Sequence, residues 1–132
     1  MALPSASVAE GQPASRASLE RPIDLVHLAR MTLGDRGLER EVLALFDRQA
    51  TVLVSRLRSA SPGAVTSVAH TLKGSARGVG AWRVAAAAEA VEIAASGEGD
   101  LSAAISRLAA VAEEARAVIA ELLRRNRIFD FQ

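Results

Sequence analysis

From Leu101 to Leu122 the apolar residues Leu101, Ile105, Leu108, Ala112, Ala115, Ile119 and Leu122 recur at alternating intervals of four and three. That is the seam of a helix that buries one stripe by lying along other helices, and a β-strand has no such period. The same spacing runs upstream. Asp35 is suited to cap a helix whose apolar positions are Leu38, Val42, Leu45, Phe46, Leu53 and Leu57. Ser61-Pro62-Gly63 is turn chemistry that opens another helix, since the N–H that proline lacks has no partner at a first helical position. Gly78 and Gly80 punctuate its end. Ala81 to about Ala95, striped by Val84, Ala88, Val91 and Ala95, forms the next, and after the loop Ser96-Gly97-Glu98-Gly99 the last helix is capped by Asp100. A short helix carrying Ile23, Leu25, Val26, Leu28 and Ala29 starts at Pro22 and stops at Gly34. Short connections between the long helices make them antiparallel neighbours. The expected fold is therefore all-α: an antiparallel up-and-down four-helix bundle with the short N-terminal helix capping one end.

Composition agrees with that class. Half of the residues are hydrophobic but only 3% are aromatic, which suits closely packed helices better than a sandwich or barrel. Residues 1–20 mix Ala, Ser, Pro and Gly without a period and read as a disordered leader. The domain spans 21–127, and 128–132 form a C-terminal tail. No Cys occurs, so disulfides, thiolate metal sites and cysteine nucleophiles are excluded. The 16 basic and 15 acidic residues are spread evenly, without the basic cluster a nucleic-acid binder needs. No stretch is apolar enough to span a bilayer or to serve as a secretory signal, so no membrane or nucleic-acid partner, a cytoplasmic location and a monomer are expected. His27 lies far from the second histidine, no pair with metal-ligand spacing exists, and His27 is assigned an ordinary surface or partly buried role. Trp82, at a helix start, is assigned to the core.

The chemistry concentrates on one face. At about 100° per residue, Val65, Val68, Ala69, Leu72, Ala76 and Val79 fall on one side of the helix opened by Pro62. His70, Lys73, Gly74 and Arg77 line up on the other, at spacings of zero, three, four and seven. His70 is thus expected to face solvent, where a neutral imidazole nitrogen is a competent nucleophile near neutral pH. Fifteen of the basic residues are Arg, and the one Lys is Lys73. Lys73 and Arg77 supply positive charge beside the histidine, as phosphoryl chemistry requires. Gly74 is costly in a helix interior, by about 1 kcal/mol against alanine. Its absent side chain would let a second protein bring a phospho-aspartate close enough for in-line transfer.

The segment His70-Thr71-Leu72-Lys73-Gly74-Ser75, followed by Gly80, resembles the histidine-containing phosphotransfer (HPt) family of bacterial two-component phosphorelays, and the order of helices from 23 to about 125 resembles it too. The resemblance implies that His70 is the phosphorylated residue, that Lys73 stabilises the phosphoryl group, with Arg77 as further charge support, and that Gly74 keeps the docking surface open. It implies shuttling between receiver-domain aspartates of response regulators or hybrid histidine kinases. One position departs from the pattern: twenty-two residues after the histidine, where many members carry Gln, stands Glu92. A carboxylate cannot donate as an amide can, though it can pair with Lys73 or orient the imidazole. Glu89 and Glu92 otherwise read as a solvated flank.

The expected role is a phosphocarrier rather than an enzyme. No P-loop, glycine-rich nucleotide lid or paired Asp/Asn metal site is present, so no ATP binding, no kinase activity and no cofactor are expected, and Mg²⁺ would belong to the partner receiver domain. A module that sequesters a receiver without turnover would use the same surface. Labelling by a phosphorylated receiver separates the two readings.

Overall fold

The computed structural model describes residues 16 and 20–130, with side chains as far as 125. Apart from 16 and 20, the expected leader lies outside the described residues, as do 131 and 132 of the expected tail. Among the described residues the chain is all-helical and has no strand. Its elements are α1 (Leu25–Met31), α2 (Arg36–Ser59), α3 (Pro62–Val79), α4 (Trp82–Ala95) and α5 (Leu101–Asp130).

Local chemistry sets most of these bounds. The Asp35 carboxylate accepts from the Leu38 N–H at 3.0 Å and starts α2, and the Asp100 carboxylate accepts from the Ala103 N–H at 3.1 Å to start α5. Pro62 stands in the first turn of α3. Gly80 ends α3 in the left-handed region at φ 81°, so the Ala81 N–H can reach back to the Ala76 carbonyl at 2.8 Å. Gly78, expected to punctuate that end, lies inside the helix. Helix α1 is shorter than the sequence suggests. Its cap is Asp24, whose carboxylate accepts from the His27 N–H, and the chain leaves it at Thr32 rather than Gly34. Helix α5 continues to Asp130, beyond the point where the tail was expected to begin.

Each long helix packs against two others: α2 against α3 and α5, and α4 against α3 and α5, while α1 rests on α3. The Arg40 guanidinium donates to the Leu123 carbonyl at 3.1 Å and Arg116 donates to Asp47 at 2.8 Å. The most extensive contact is α3 on α4. Its core includes Ala69, Leu72 and Ala76 from α3 with Val84, Ala85, Ala88 and Val91 from α4. So many small residues let two backbones approach closely, which brings even mid-length polar side chains at the edge of the contact within reach of one another. The α5 seam is as expected, with Leu108, Ala112, Ala115 and Ile119 buried and Leu101, Ile105 and Leu122 half-buried. On α2 the expectation needs correcting. Leu38 and Leu45 are exposed, and Leu43 and Ala50 occupy the core in their place. Residues 43, 46, 50, 53 and 57 share one stripe, from which residues 38 and 45 lie about 100° away.

Candidate functional site

The site grows from the contact between α3 and α4. Val65, Ala69, Leu72, Ala76 and Val79 bury the inner face of α3. That packing fixes which way the remaining side chains point. His70 is held out from the surface, its side chain 71% exposed. Gly74 is exposed, and a Cβ built on it would meet nothing within 4 Å. The expected open space beside the histidine is present.

Of the readings open for Glu92, the pairing with Lys73 and the contact with the imidazole are both present. The Lys73 side chain is only 14% exposed and leans on α4, where its Nζ lies 2.7 Å from Glu92 Oε1 and 3.8 Å from Glu89 Oε1. Arg77, half-exposed, lies 3.4 Å from the same Glu89 oxygen. Glu92 is no solvated flank either. Its side chain is 18% exposed, and its second oxygen lies 3.1 Å from His70 Nδ1. One carboxylate therefore bridges the imidazole and the ammonium. Burial pushes the Glu92 carboxyl up, but the Lys73 ammonium and the His70 ring outweigh it and hold the group below the ordinary carboxylate range.

An ionised carboxylate only accepts hydrogen bonds, so the short contact requires Nδ1 to carry the proton. The lone pair then sits on Nε2, on the far side of an exposed ring. Imidazole, tautomer-setting acceptor and the two cations Lys73 and Arg77 thus lie on the α3–α4 surface, with no side chain at Gly74.

A second polar cluster, which sequence reasoning did not identify, fastens α1 to this region. Asp24 is buried, and its carboxylate accepts from Trp82 Nε1 at 2.9 Å as well as from the His27 N–H at 3.1 Å. The Asp24 N–H donates to the Gly80 carbonyl at 2.9 Å. His27 is buried and meets the Trp82 ring edge-on, with centroids 4.8 Å apart. Trp82 is in the core as expected. Neither the capping role of Asp24 nor its bond to Trp82, fifty-eight residues on, was read from the sequence. Among the described residues no three His, Cys, Asp or Glu side chains converge as a metal site, and no helix is long and apolar enough to cross a membrane.

A family model described as the Hpt domain matches residues 40–124, well over half of the chain. No curated protein and no solved structure matches it.

Proposed function

Because the chain belongs to the Hpt domain family, whose members are phosphotransfer modules of phosphorelays, we propose that it carries a phosphoryl group between receiver-domain aspartates on Nε2 of His70. The observation that carries this reading is the contact of 3.1 Å between His70 Nδ1 and Glu92. It leaves the lone pair on Nε2, the ring nitrogen that Glu92 does not engage. In the charging step that lone pair attacks phosphorus of the receiver's aspartyl phosphate. The N–P bond forms as the P–O bond breaks, and the receiver aspartate departs as a carboxylate. The product ring, protonated at Nδ1 and phosphorylated at Nε2, is cationic, and its charge faces Glu92. Discharge reverses the step on a second receiver. Mg²⁺ belongs to the receiver, and the chain itself neither binds nor hydrolyses ATP.

An antiparallel up-and-down arrangement of α2 to α5 supports this reading, because it presents α3 with one face open. The pairings 40 with 123 and 47 with 116, each of low number with high, favour it. So do the pairings of 70 with 92 and 77 with 89. The receiver is proposed to dock across α3, α1 and the adjoining flank of α2. Leu38, Leu45 and Val52, seven apart, form one exposed apolar stripe on α2. Asp47 faces α5 through Arg116, which places the stripe on the other flank, toward α3. Leu25, Val26, Met31 and Leu33 extend the exposed apolar surface at α1 and just beyond it. Such a surface suits a protein partner that binds and leaves.

The test is incubation with a phosphorylated receiver. Acid-labile, alkali-stable label on this chain, lost in His70→Gln, is the expected result. Label retained by that variant refutes His70 as acceptor. A stable complex that never takes up label instead indicates sequestration, the reading that a Lys73 held by Glu92 keeps open. A transfer profile against the receivers of the same genome identifies the donor and the acceptor.

A further inference from the structure

Both cations beside His70 are already engaged. Lys73 is shared by Glu92 and Glu89, and Arg77 reaches Glu89. Two positive and two negative groups cancel, so the face offers an arriving phosphoryl group, which brings about 1.5 to 2 negative charges, no surplus positive charge. Any hold that Lys73 or Arg77 takes on it competes with the carboxylates for the same charge. The two carboxylates are not equivalent. Glu92 also accepts from the imidazole, and so favours the cationic phosphorylated ring even as it holds Lys73. Glu89 pairs with Lys73 and Arg77, so its charge acts against the phosphoryl group, as a competitor for those cations.

We propose that Glu89 is a positioning residue that withholds Lys73 and Arg77 from the phosphoryl group on His70 and thereby sets a short lifetime for the phosphohistidine. The inference rests on the reading that His70 is the acceptor. In the decay step water attacks phosphorus and the N–P bond breaks. Its electron pair returns to Nε2, Nδ1 keeps its proton, and dihydrogen phosphate leaves. The transition state for this loss is loose, with charge moving off the phosphoryl oxygens. Cations on those oxygens therefore stabilise the phosphorylated state more than they stabilise its decay, and a carboxylate that draws them away hastens it.

The test uses phosphoramidate, a small donor that charges an exposed imidazole with loss of ammonia and needs no partner. The full chain, E89Q and E89D are charged, freed of donor, and followed by acid-labile phosphate. E89Q should keep its phosphoryl group about two- to fivefold longer than the wild type, the range set by a partly exposed ion pair. E89D, which retains the carboxylate, should stay near the wild type. Added salt should narrow the gap between E89Q and the wild type, as a charge effect demands and a packing effect does not. An unchanged or shortened lifetime in E89Q overturns the proposal, as does E89D behaving like E89Q. Failure of the wild type to take label while it remains folded would instead remove the His70 reading, and this inference with it.

Discussion

Substitutions of Gly74 are expected to act on stability and on receiver-dependent transfer with opposite signs. The residue lies inside α3, and a Cβ there meets no atom within 4 Å. Gly74→Ala therefore adds neither a contact nor a clash. What it changes is backbone freedom in the unfolded chain, and the gain expected from replacing an interior helical glycine is about 0.5–1 kcal/mol. For a domain of this size that corresponds to a rise in Tm of roughly 2–6 °C, measurable by circular dichroism and by the midpoint of urea unfolding. Lengthening the side chain should preserve most of that gain while obstructing the partner. Gly74→Gln is expected to slow transfer from a phosphorylated receiver about tenfold, the equivalent of about 1.4 kcal/mol lost at the docked surface. Charging by phosphoramidate should be nearly unaffected, because a small donor passes where a receiver does not. A Gly74→Ala protein less stable than the wild type would mean that close packing is the reason for the glycine. A Gly74→Gln protein that transfers at the wild-type rate would remove Gly74 from the docking surface.

Gly80 should behave in the opposite way. It adopts φ 81°, and a Cβ there would come within 2.9 Å of the Asp24 carbonyl oxygen, so Gly80→Ala should cost about 1–3 kcal/mol, read by urea unfolding; a neutral result would refute its role in seating α1 against α3. Glu92 predicts a pH dependence. Its carboxyl lies below the ordinary value of 4.5 in the folded protein, so its contribution is fully present above that pH and is lost as pH falls through the lower folded-state value. Unfolding midpoints of the wild type and Glu92→Gln should converge on acidification below about pH 4.5, and a gap that stays constant would show that the carboxylate's charge is not what matters.

How far the sequence foretells this arrangement depends on whether the information is local. The α5 seam, the caps Asp35 and Asp100 and the exposure of His70 follow from periodicity or from a side chain bonding to backbone three residues away. Each was legible. The core assignment on α2 was legible only for Val42, Phe46, Leu53 and Leu57, because that helix carries more apolar residues than one stripe can bury. Leu38, Leu45 and Val52 are as apolar as Leu43 and Leu53, and only the positions of α3 and α5 decide which set is covered. Asp24 is a harder case, since burial of a carboxylate is costly unless it is paired, and its donor, Trp82, is brought to it by tertiary packing alone.

The environment of Lys73 has the same origin and the greater chemical consequence. The helix register places Lys73 and His70 on one face, and the carboxylate at 92 suggested a partner for Lys73, but a helical wheel alone does not decide where the ammonium goes. It cannot represent α4, which lies along that edge of α3 and offers two carboxylates three residues apart. Where an amide at position 92 would bear no charge, Glu92 ties down the ammonium with one oxygen and the ring with the other. On the proposed reading, the ring gains an acceptor that supports positive charge on phosphorylation, while the phosphoryl group gains a rival for its cation. A charged rather than an uncharged side chain at this position thus acts twice on the phosphorylated state, with opposite signs.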